Sequence, residues 1–121
     1  MAAAAQKRQV KLMTWSDTTT MAKYVILEEA FEAANPDVDL VVEIMDGTSY
    51  ARKLPVMIAS GTAPDIFESV LERAASFGSY AEKGAYVDLM PLVERDGVNL
   101  DEWFPEVIAS SYYDGVLYNL P

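Results

Sequence analysis

The chain has 121 residues, a length that fits one domain, and 51% of them are hydrophobic, as in a globular protein. It carries 19 acidic and 9 basic residues and no His, so its formal net charge is -10. A field of that sign repels phosphate backbones, and nucleic-acid binding is therefore not expected. The absence of Cys excludes disulfides and thiolate metal sites, and no apolar run approaches the ~20 residues that span a bilayer.

The first third of the chain predicts a strand, a helix and a second strand. Residues 1–9 are small and polar and are expected to be a disordered or artificially added N-terminus. Residues 10–15 form a compact apolar strand, and the "SDTTT" that follows offers several helix N-caps. The helix ends at Asn35-Pro36, since Pro cannot continue it. Its predicted inward face consists of Tyr24, Leu27, Phe31 and Ala34.

Residues 38–45 predict a nearly continuous apolar strand, which is typical of a sheet covered on both faces. A turn at Asp46-Gly47 follows, and Thr48 or Ser49 is expected to cap the next helix. Pro55 lies inside that helix and predicts a kink or a late start. The inward face is expected to contain Tyr50, Leu54, Met57 and Ile58.

The stretch "SGTAPDIFE", residues 60–68, predicts how the chain enters a third strand. Gly61 favours the left-handed conformation that closes a helix, and Pro64 holds the preceding residue extended. Ile66 and Phe67 then form a short strand, with Glu68 just past its end. Asp65 is assigned a structural role, accepting hydrogen bonds from amides in the loop before this strand. Alternation of strands and helices predicts a parallel sheet with right-handed crossovers.

The remaining segments predict a helix over residues 70–83, closed by Gly84, and a hairpin at Asp114-Gly115. Between them, Pro91 marks the first turn of a short helix that ends at Asp96-Gly97. The predicted fold class is α/β: a three-layer single lobe with a mainly parallel sheet flanked by helices and an antiparallel C-terminal strand.

Ligands of open parallel sheets bind beyond the carboxyl ends of the strands. One aromatic ring, three carboxylates and several hydroxyls lie at those ends. Carboxylates accept hydrogen bonds from hydroxyl groups and an aromatic face covers a sugar ring, so the set suits a neutral polyhydroxyl ligand. A cationic ligand also suits it, whereas an anion does not. The candidates are Trp15, Ser16, Asp17, Thr18, Asp46, Glu68 and Ser69.

Each candidate also has a structural explanation. Trp15 at a strand end can be rim packing, and Asp17 and Thr18 can be helix caps. Glu68 is the strongest candidate, because a charge after an apolar strand needs solvent, a partner or a ligand. A pair of carboxylates acting as acid and base, or a Ca²⁺ or Mg²⁺ site built from Asp17, Asp46 and Glu68, remains as an alternative, but no spacing supports either.

Five segments in this order and spacing resemble the N-terminal lobe of the extracellular solute-binding proteins of ABC importers. The resemblance covers residues 10–121 and is greatest with the sugar-binding group that includes the maltose-binding proteins. It is carried by "VKLMTWSD", "FEAANPDVDLVVEI", "YARKLPVMIASGTAPDIFE", "YAEKGAYVDL" and "YYDGVLYNLP".

The resemblance implies a two-lobed protein that closes over a ligand and presents both lobes to a membrane permease. It implies sugar contacts from the loops after the first and third strands, which here carry Trp15, Ser16, Asp17, Glu68 and Ser69. Glu72 is a further candidate, and Tyr50 and Asp46 flank the cleft. The segment after Glu68, residues 69–76, differs in length from the corresponding segment of the maltose-binding proteins.

The sequence as a whole therefore predicts a carbohydrate-binding lobe, residues 10–121, with the second lobe absent. No enzymatic activity and no cofactor are expected. The expected partners are a sugar or oligosaccharide and the permease of the importer, in a periplasmic or extracellular location associated with the membrane through the importer. The alternative is a single lobe that forms a homodimer, for example through its C-terminal strand at residues 116–120, and binds no ligand tightly.

Overall fold

A computed structural model of the chain describes residues 6–16, 21–68 and 74–121, with side chains in the last range described from residue 77. The chain divides into two compact units, Met1–Glu68 and Ser69–Pro121. The predictions made for the "SDTTT" cap, Asp17, Thr18, Ser69 and Glu72 lie outside the described residues.

The first unit contains a parallel sheet with the strand order β2-β1-β3. Its strands are β1 (Arg8–Trp15), β2 (Val38–Met45) and β3 (Ile66–Phe67). Arg8 pairs with Val38 and Trp15 with Met45, so β1 and β2 are in register over their whole length. The predicted parallel sheet is confirmed, although β1 begins two residues earlier than expected, because Arg8 and Gln9 pair with β2.

Helix α1 (Met21–Ala34) ends where Asn35-Pro36 predicted, but its inward face is narrower than expected. Tyr24 is buried, whereas Leu27 and Phe31 are 46% and 37% exposed. Ala34 is exposed as well, so the assignment of Leu27, Phe31 and Ala34 to the inward face is wrong. Apolar residues occupy several sides of this helix, so periodicity defines no single face, and a sheet of three strands covers little of it.

Helix α2 (Gly47–Ser60) begins directly after β2, because Asp46 is its N-cap. The Oδ1 atom of Asp46 accepts hydrogen bonds from the amides of Thr48 and Ser49, both at 3.0 Å. The prediction that Thr48 or Ser49 is the cap is therefore wrong, and the helix has no late start on account of Pro55. Gly61 ends the helix with a φ of 71°, as expected.

The buried face of α2 supplies much of the first unit's core. Tyr50 and Leu54 are 2% and 6% exposed, in agreement with the predicted face. Met13 on the central strand and Leu40 on β2 are also buried. Because side chains alternate along a strand, Met13 and Leu40 lie on opposite faces of the sheet, so the core of this unit occupies both faces.

Asp65 holds the short strand β3 against β1. Only two residues of β3 pair with β1, Ile66 with Leu12 and Phe67 with Met13. One step earlier, Oδ2 of Asp65 accepts a hydrogen bond from the Lys11 amide at 2.9 Å. The structural role of Asp65 is confirmed, but the amide it satisfies belongs to β1 and not to the preceding loop.

The second unit is built from short elements. These are α3 (Ala74–Glu82), α4 (Met90–Asp96), a 3-10 helix (Leu100–Glu102), α5 (Pro105–Ala109), β4 (Tyr112–Tyr113) and β5 (Val116–Leu117). Phe77, Tyr86 and Tyr113 pack together, with the Phe77 centroid 5.3 Å from that of Tyr86 and 6.4 Å from that of Tyr113. Aromatic contacts of this kind stabilise a small core.

The predicted hairpin is confirmed, since β4 and β5 are antiparallel and joined by Asp114 and Gly115. Both turn residues have positive φ, 49° and 79°, the conformation that favours Asp-Gly in a two-residue turn. The fold is therefore α/β, with a parallel sheet flanked by helices and an antiparallel C-terminal pair. Within the described ranges, no helix has the length and apolar character needed to cross a membrane.

Candidate functional site

The strand order places a switch point beyond the carboxyl ends of β1 and β3. The connection after β1 leads to β2 on one side, and the chain then crosses to β3 on the other side. In open α/β sheets such a point opens a crevice at the carboxyl edge, where ligands bind. Of the sequence candidates, Trp15, Ser16, Asp46 and Glu68 are described, and all four follow or end a strand at this edge.

The backbone of Glu68 is fixed from two directions. Its amide donates to the Met13 carbonyl at 3.1 Å, which extends the pairing of β3 with β1 by one residue. Its carbonyl accepts a hydrogen bond from the hydroxyl of Tyr50 at 2.5 Å. Because Tyr50 is buried in α2, the end of β3 is tied to the core of the unit.

The carboxylate of Glu68 is held by two buried hydroxyl groups. The Thr14 hydroxyl donates a short hydrogen bond to Oε2 of Glu68. The Tyr24 hydroxyl lies 3.2 Å from the same oxygen and 2.8 Å from Oγ1 of Thr14. Thr14 is 1% exposed and Tyr24 is 8% exposed, while Glu68 itself is exposed. We call Thr14, Tyr24 and Glu68 the carboxylate cluster.

A cation lies beside the carboxylate cluster. The Nζ atom of Lys23 is 4.6 Å from the centroid of the Tyr24 ring, a cation–π distance. The pKa of Lys23 is raised above its ordinary value, mainly by a hydrogen bond with the Tyr24 side chain and to a lesser extent by the negative charge of Glu68. The edge of the sheet therefore carries both signs of charge.

Trp15 presents an aromatic surface at the same edge. Its side chain is 44% exposed, and the Ser16 amide after it donates to the Met45 carbonyl at 3.0 Å. A Cβ atom placed on Gly47 would lie 3.7 Å from Cε3 of Trp15, so the indole ring lies beside the start of α2. The ring thus has one side near α2 and much of its area open to solvent.

Asp46 has a structural task that the sequence did not assign to it. Hydrogen bonds with Ser49 and with the Thr48 amide lower the pKa of the Asp46 carboxyl below its ordinary value. A carboxylate that accepts amide hydrogen bonds at a helix N-terminus is stabilised in its charged form. Its contact with a ligand stays a prediction.

No group of three or more acidic residues that is suited to hold a metal ion occurs in the described ranges. The proposed set of Asp17, Asp46 and Glu68 includes one member outside those ranges. The oxygen Oε2 of Glu68 is already shared by two hydroxyls, which is a hydrogen-bonding environment rather than a coordination shell.

Sequence reasoning missed Thr14 and Tyr24. The apolar pattern places Thr14 in a strand and Tyr24 on an apolar helix face, and neither placement indicates a role at the site. The available signal was the phenol group itself, because a buried Tyr hydroxyl usually requires a hydrogen-bonding partner.

The second unit has an open pocket of about 640 Å³ that contains no sequence candidate. Its lining includes two half-buried aromatic side chains and one carboxylate. The lining residues include Leu100, Asp101, Trp103, Pro105, Ile108 and Tyr112. In the sequence "DEWFPE" around Trp103, Pro105 breaks the predicted helix, and α5 begins at that residue.

The parallel sheet, its switch point and the flanking helices define a lobe of the periplasmic-binding-protein type. An extracellular solute-binding protein from Alicyclobacillus acidocaldarius is similar to 98% of this chain, with 28% identity and a TM-score of 0.81. An ABC substrate-binding protein from Listeria monocytogenes, solved in complex with cycloalternan, is similar to 93% of it, with 30% identity and a TM-score of 0.82.

The chain belongs to the family of bacterial extracellular solute-binding proteins, whose pattern matches residues 15–121. The GacH receptor of Streptomyces glaucescens, at 23% identity and a TM-score of 0.78, shares the fold. The comparison with curated proteins gives no match. The chain spans 29% of the Alicyclobacillus protein and 28% of the Listeria protein.

Proposed function

We propose that this chain is the N-terminal lobe of the solute-binding component of an ABC importer and that it binds a carbohydrate. The family assignment supports transport rather than catalysis, and the Listeria relative was solved in complex with cycloalternan. The proposed location is periplasmic or extracellular, with a permease of the importer as the protein partner.

The observation that carries the proposal is that the carboxylate cluster and an exposed Trp ring both lie at the carboxyl edge of the sheet, where its switch point is. An ionised carboxylate accepts hydrogen bonds from sugar hydroxyls, and an indole face covers the apolar side of a pyranose ring. In the proposed complex Trp15 stacks on the sugar, while Ser16 and Glu68 hydrogen-bond to it. Asp46 flanks the ring.

Four further contacts belong to this proposal. In the sequence, Asp17 and Thr18 come directly after the candidates Trp15 and Ser16, and Ser69 and Glu72 come soon after Glu68. Carboxylate and hydroxyl groups at these positions add acceptors and donors for the hydroxyl groups of a sugar.

Binding by the 121-residue chain alone is expected to be weak. It spans less than a third of its solved relatives, and in the proposed two-lobed protein the sugar is contacted from both sides. Every 1.4 kcal/mol of lost contact free energy weakens binding about tenfold, so the loss of several hydrogen bonds lowers affinity by orders of magnitude.

The test is a two-dimensional amide NMR titration with cycloalternan, which detects binding in the millimolar range residue by residue. We expect shifts at Trp15, Ser16 and Glu68. Absence of shifts at cycloalternan concentrations in the tens of millimolar, or shifts confined to the second unit, would contradict the proposal.

Two variants with matched controls make the titration specific. Glu68→Gln is expected to weaken binding about tenfold, the loss of one charge-assisted hydrogen bond. Its control is Glu43→Gln, which neutralises an exposed carboxylate on β2 that pairs with Lys53 of α2. This control should leave binding unchanged. Trp15→Ala is expected to abolish binding, whereas Phe104→Ala removes an aromatic ring that is 78% exposed in the second unit and should have no effect.

A further inference from the structure

Three separate elements converge on one oxygen atom of Glu68. Thr14 lies on β1, Tyr24 lies on α1, and Glu68 follows β3. Thr14 and Glu68 are 54 residues apart, and Tyr24 and Glu68 are 44 residues apart, so the contacts are tertiary and not local. An exposed Glu ordinarily samples several rotamers, and holding it in one rotamer requires contacts of this kind.

The hydrogen atoms available in the carboxylate cluster determine what Glu68 offers to a ligand. Each hydroxyl has one hydrogen to donate. The Thr14 hydrogen is directed to Oε2 of Glu68, and the Tyr24 hydrogen is shared between Oε2 and Oγ1 of Thr14. With Glu68 ionised, the hydroxyl hydrogens of Thr14 and Tyr24 are both used within the carboxylate cluster.

The second carboxylate oxygen, Oε1, accepts no hydrogen bond from a described residue. It belongs to an exposed residue, at the edge of the sheet where Trp15 is also exposed. The cluster therefore fixes one oxygen inward and leaves the other as an acceptor for a group that donates a hydrogen bond.

We infer that Thr14 and Tyr24 are positioning residues for ligand binding, which hold Glu68 so that Oε1 meets a donor group of the ligand. This inference rests on the proposed function for its ligand. It adds that two side chains with no ligand contact of their own determine affinity, because they remove the entropy cost of ordering Glu68 at the moment of binding.

The first test needs no ligand. The γ-methylene group of Glu68 is followed by ¹³C relaxation in the unmodified chain, in Thr14→Val and in Tyr24→Phe. We expect an ordered side chain in the unmodified chain and increased mobility in both variants. Thr14→Ser keeps the hydroxyl and should restore the order. Equal mobility of Glu68 in the unmodified chain and in Tyr24→Phe overturns the inference.

The second test repeats the cycloalternan titration with the same variants. We expect about tenfold weaker binding for Tyr24→Phe and near-normal binding for Thr14→Ser. Circular dichroism checks that each variant is folded. If Thr14→Val does not fold, Tyr24→Phe alone tests the inference, because it keeps the buried ring and removes only the hydroxyl. Unchanged affinity of Tyr24→Phe overturns the positioning role.

The two proposals fail in different ways. If cycloalternan produces no shifts even in the unmodified chain, the carbohydrate proposal fails, and the relaxation of Glu68 still decides whether the two hydroxyls order it. If cycloalternan binds but Glu68 is mobile throughout, the carbohydrate proposal stands and the positioning inference is wrong.

Discussion

At the residue scale, Asp46 is a carboxylate whose charged form is stabilised by its role as the N-cap of a helix. The amides of Thr48 and Ser49 meet its Oδ1 atom at the positive end of α2. These contacts exist only in the folded chain and lower the pKa of the carboxyl. Protonation of Asp46 is therefore coupled to unfolding.

The sign of this coupling gives a pH prediction. Because the folded pKa lies below the ordinary value of 3.8, the contribution of Asp46 to stability is present above that value. It is lost as the pH falls through the lower folded pKa. Asp46→Asn retains a good N-cap that does not titrate. Its unfolding midpoint in urea should be close to that of the unmodified chain at neutral pH.

The comparison below pH 3.8 is the informative one. There the unmodified chain should lose stability relative to Asp46→Asn, because the other carboxylates titrate in both proteins and only Asp46 differs. Parallel curves across the acid range would show that the cap contributes no pH dependence.

Some site residues were accessible to sequence reasoning and others were not. Trp15 and Glu68 were found because each follows the strand pattern directly, and their place at the end of a strand needs no knowledge of distant residues. Thr14 and Tyr24 were missed because their role depends on a partner 54 or 44 residues away. Hydrophobic periodicity assigns a side chain to a face, but it does not identify the atom its hydroxyl meets.

At the element scale, α2 gives the clearest relation between pattern and burial. Its spacing predicted Tyr50 and Leu54 as inward residues, and both are buried. The pattern failed for α1, where the predicted inward residues Leu27 and Phe31 are 46% and 37% exposed. A helix with apolar residues on all sides has no preferred face in the sequence, so only the packed structure shows which residue is covered.

Leu54 and Val56 form a matched pair on this helix for a stability measurement. Leu54 is 6% exposed, and Leu54→Ala should lower the free energy of unfolding by about 2–5 kcal/mol through lost burial and the cavity left behind. Val56 is 66% exposed, and Val56→Ala should change it by no more than about 0.5 kcal/mol. Urea unfolding followed by circular dichroism measures both, and similar losses in the two variants would contradict the packing of α2.

At the scale of the whole molecule, self-association is the alternative to ligand binding, and the edges of the two sheets bear on it. Part of the hydrogen-bonding capacity of the C-terminal hairpin is already used within its own unit, because the Leu117 carbonyl accepts a hydrogen bond from the Leu89 amide at 2.8 Å. Strand β2 is the longer edge, with eight residues paired on one side. Its Leu40 amide donates to Oε1 of Glu32 at 2.9 Å, and Glu32 also lies 3.5 Å from Lys7.

Glu32 therefore protects the edge of β2 from pairing with another strand. Glu32→Ala should lower the free energy of unfolding by about 1 kcal/mol and increase dimer formation in sedimentation velocity. Glu32→Gln keeps an oxygen that accepts the Leu40 amide and should remain as monomeric as the unmodified chain. A monomeric Glu32→Ala protein at high concentration would show that this edge does not govern association.

The overall architecture was predictable because it depends on local signals that agree with one another. Gly61, Pro64 and Gly115 mark turns by their own backbone preferences, and the apolar runs between them fix the order of strands and helices. The start of α2 was misplaced because Asp46, Thr48 and Ser49 are all good caps. Only the extended backbone of Asp46 shows which of them is used.

The order β2-β1-β3 also has a consequence for how the protein acquires its site in time. Strand β1 pairs with residues 30 positions away in β2 but 54 positions away in β3, and longer loops close more slowly. A chain that has joined β1 to β2 alone has no carboxylate cluster, because Glu68 arrives only with β3. Refolding should therefore restore the fold of the first two strands before the cluster, and an ordered Glu68 side chain marks the moment at which the unit is complete.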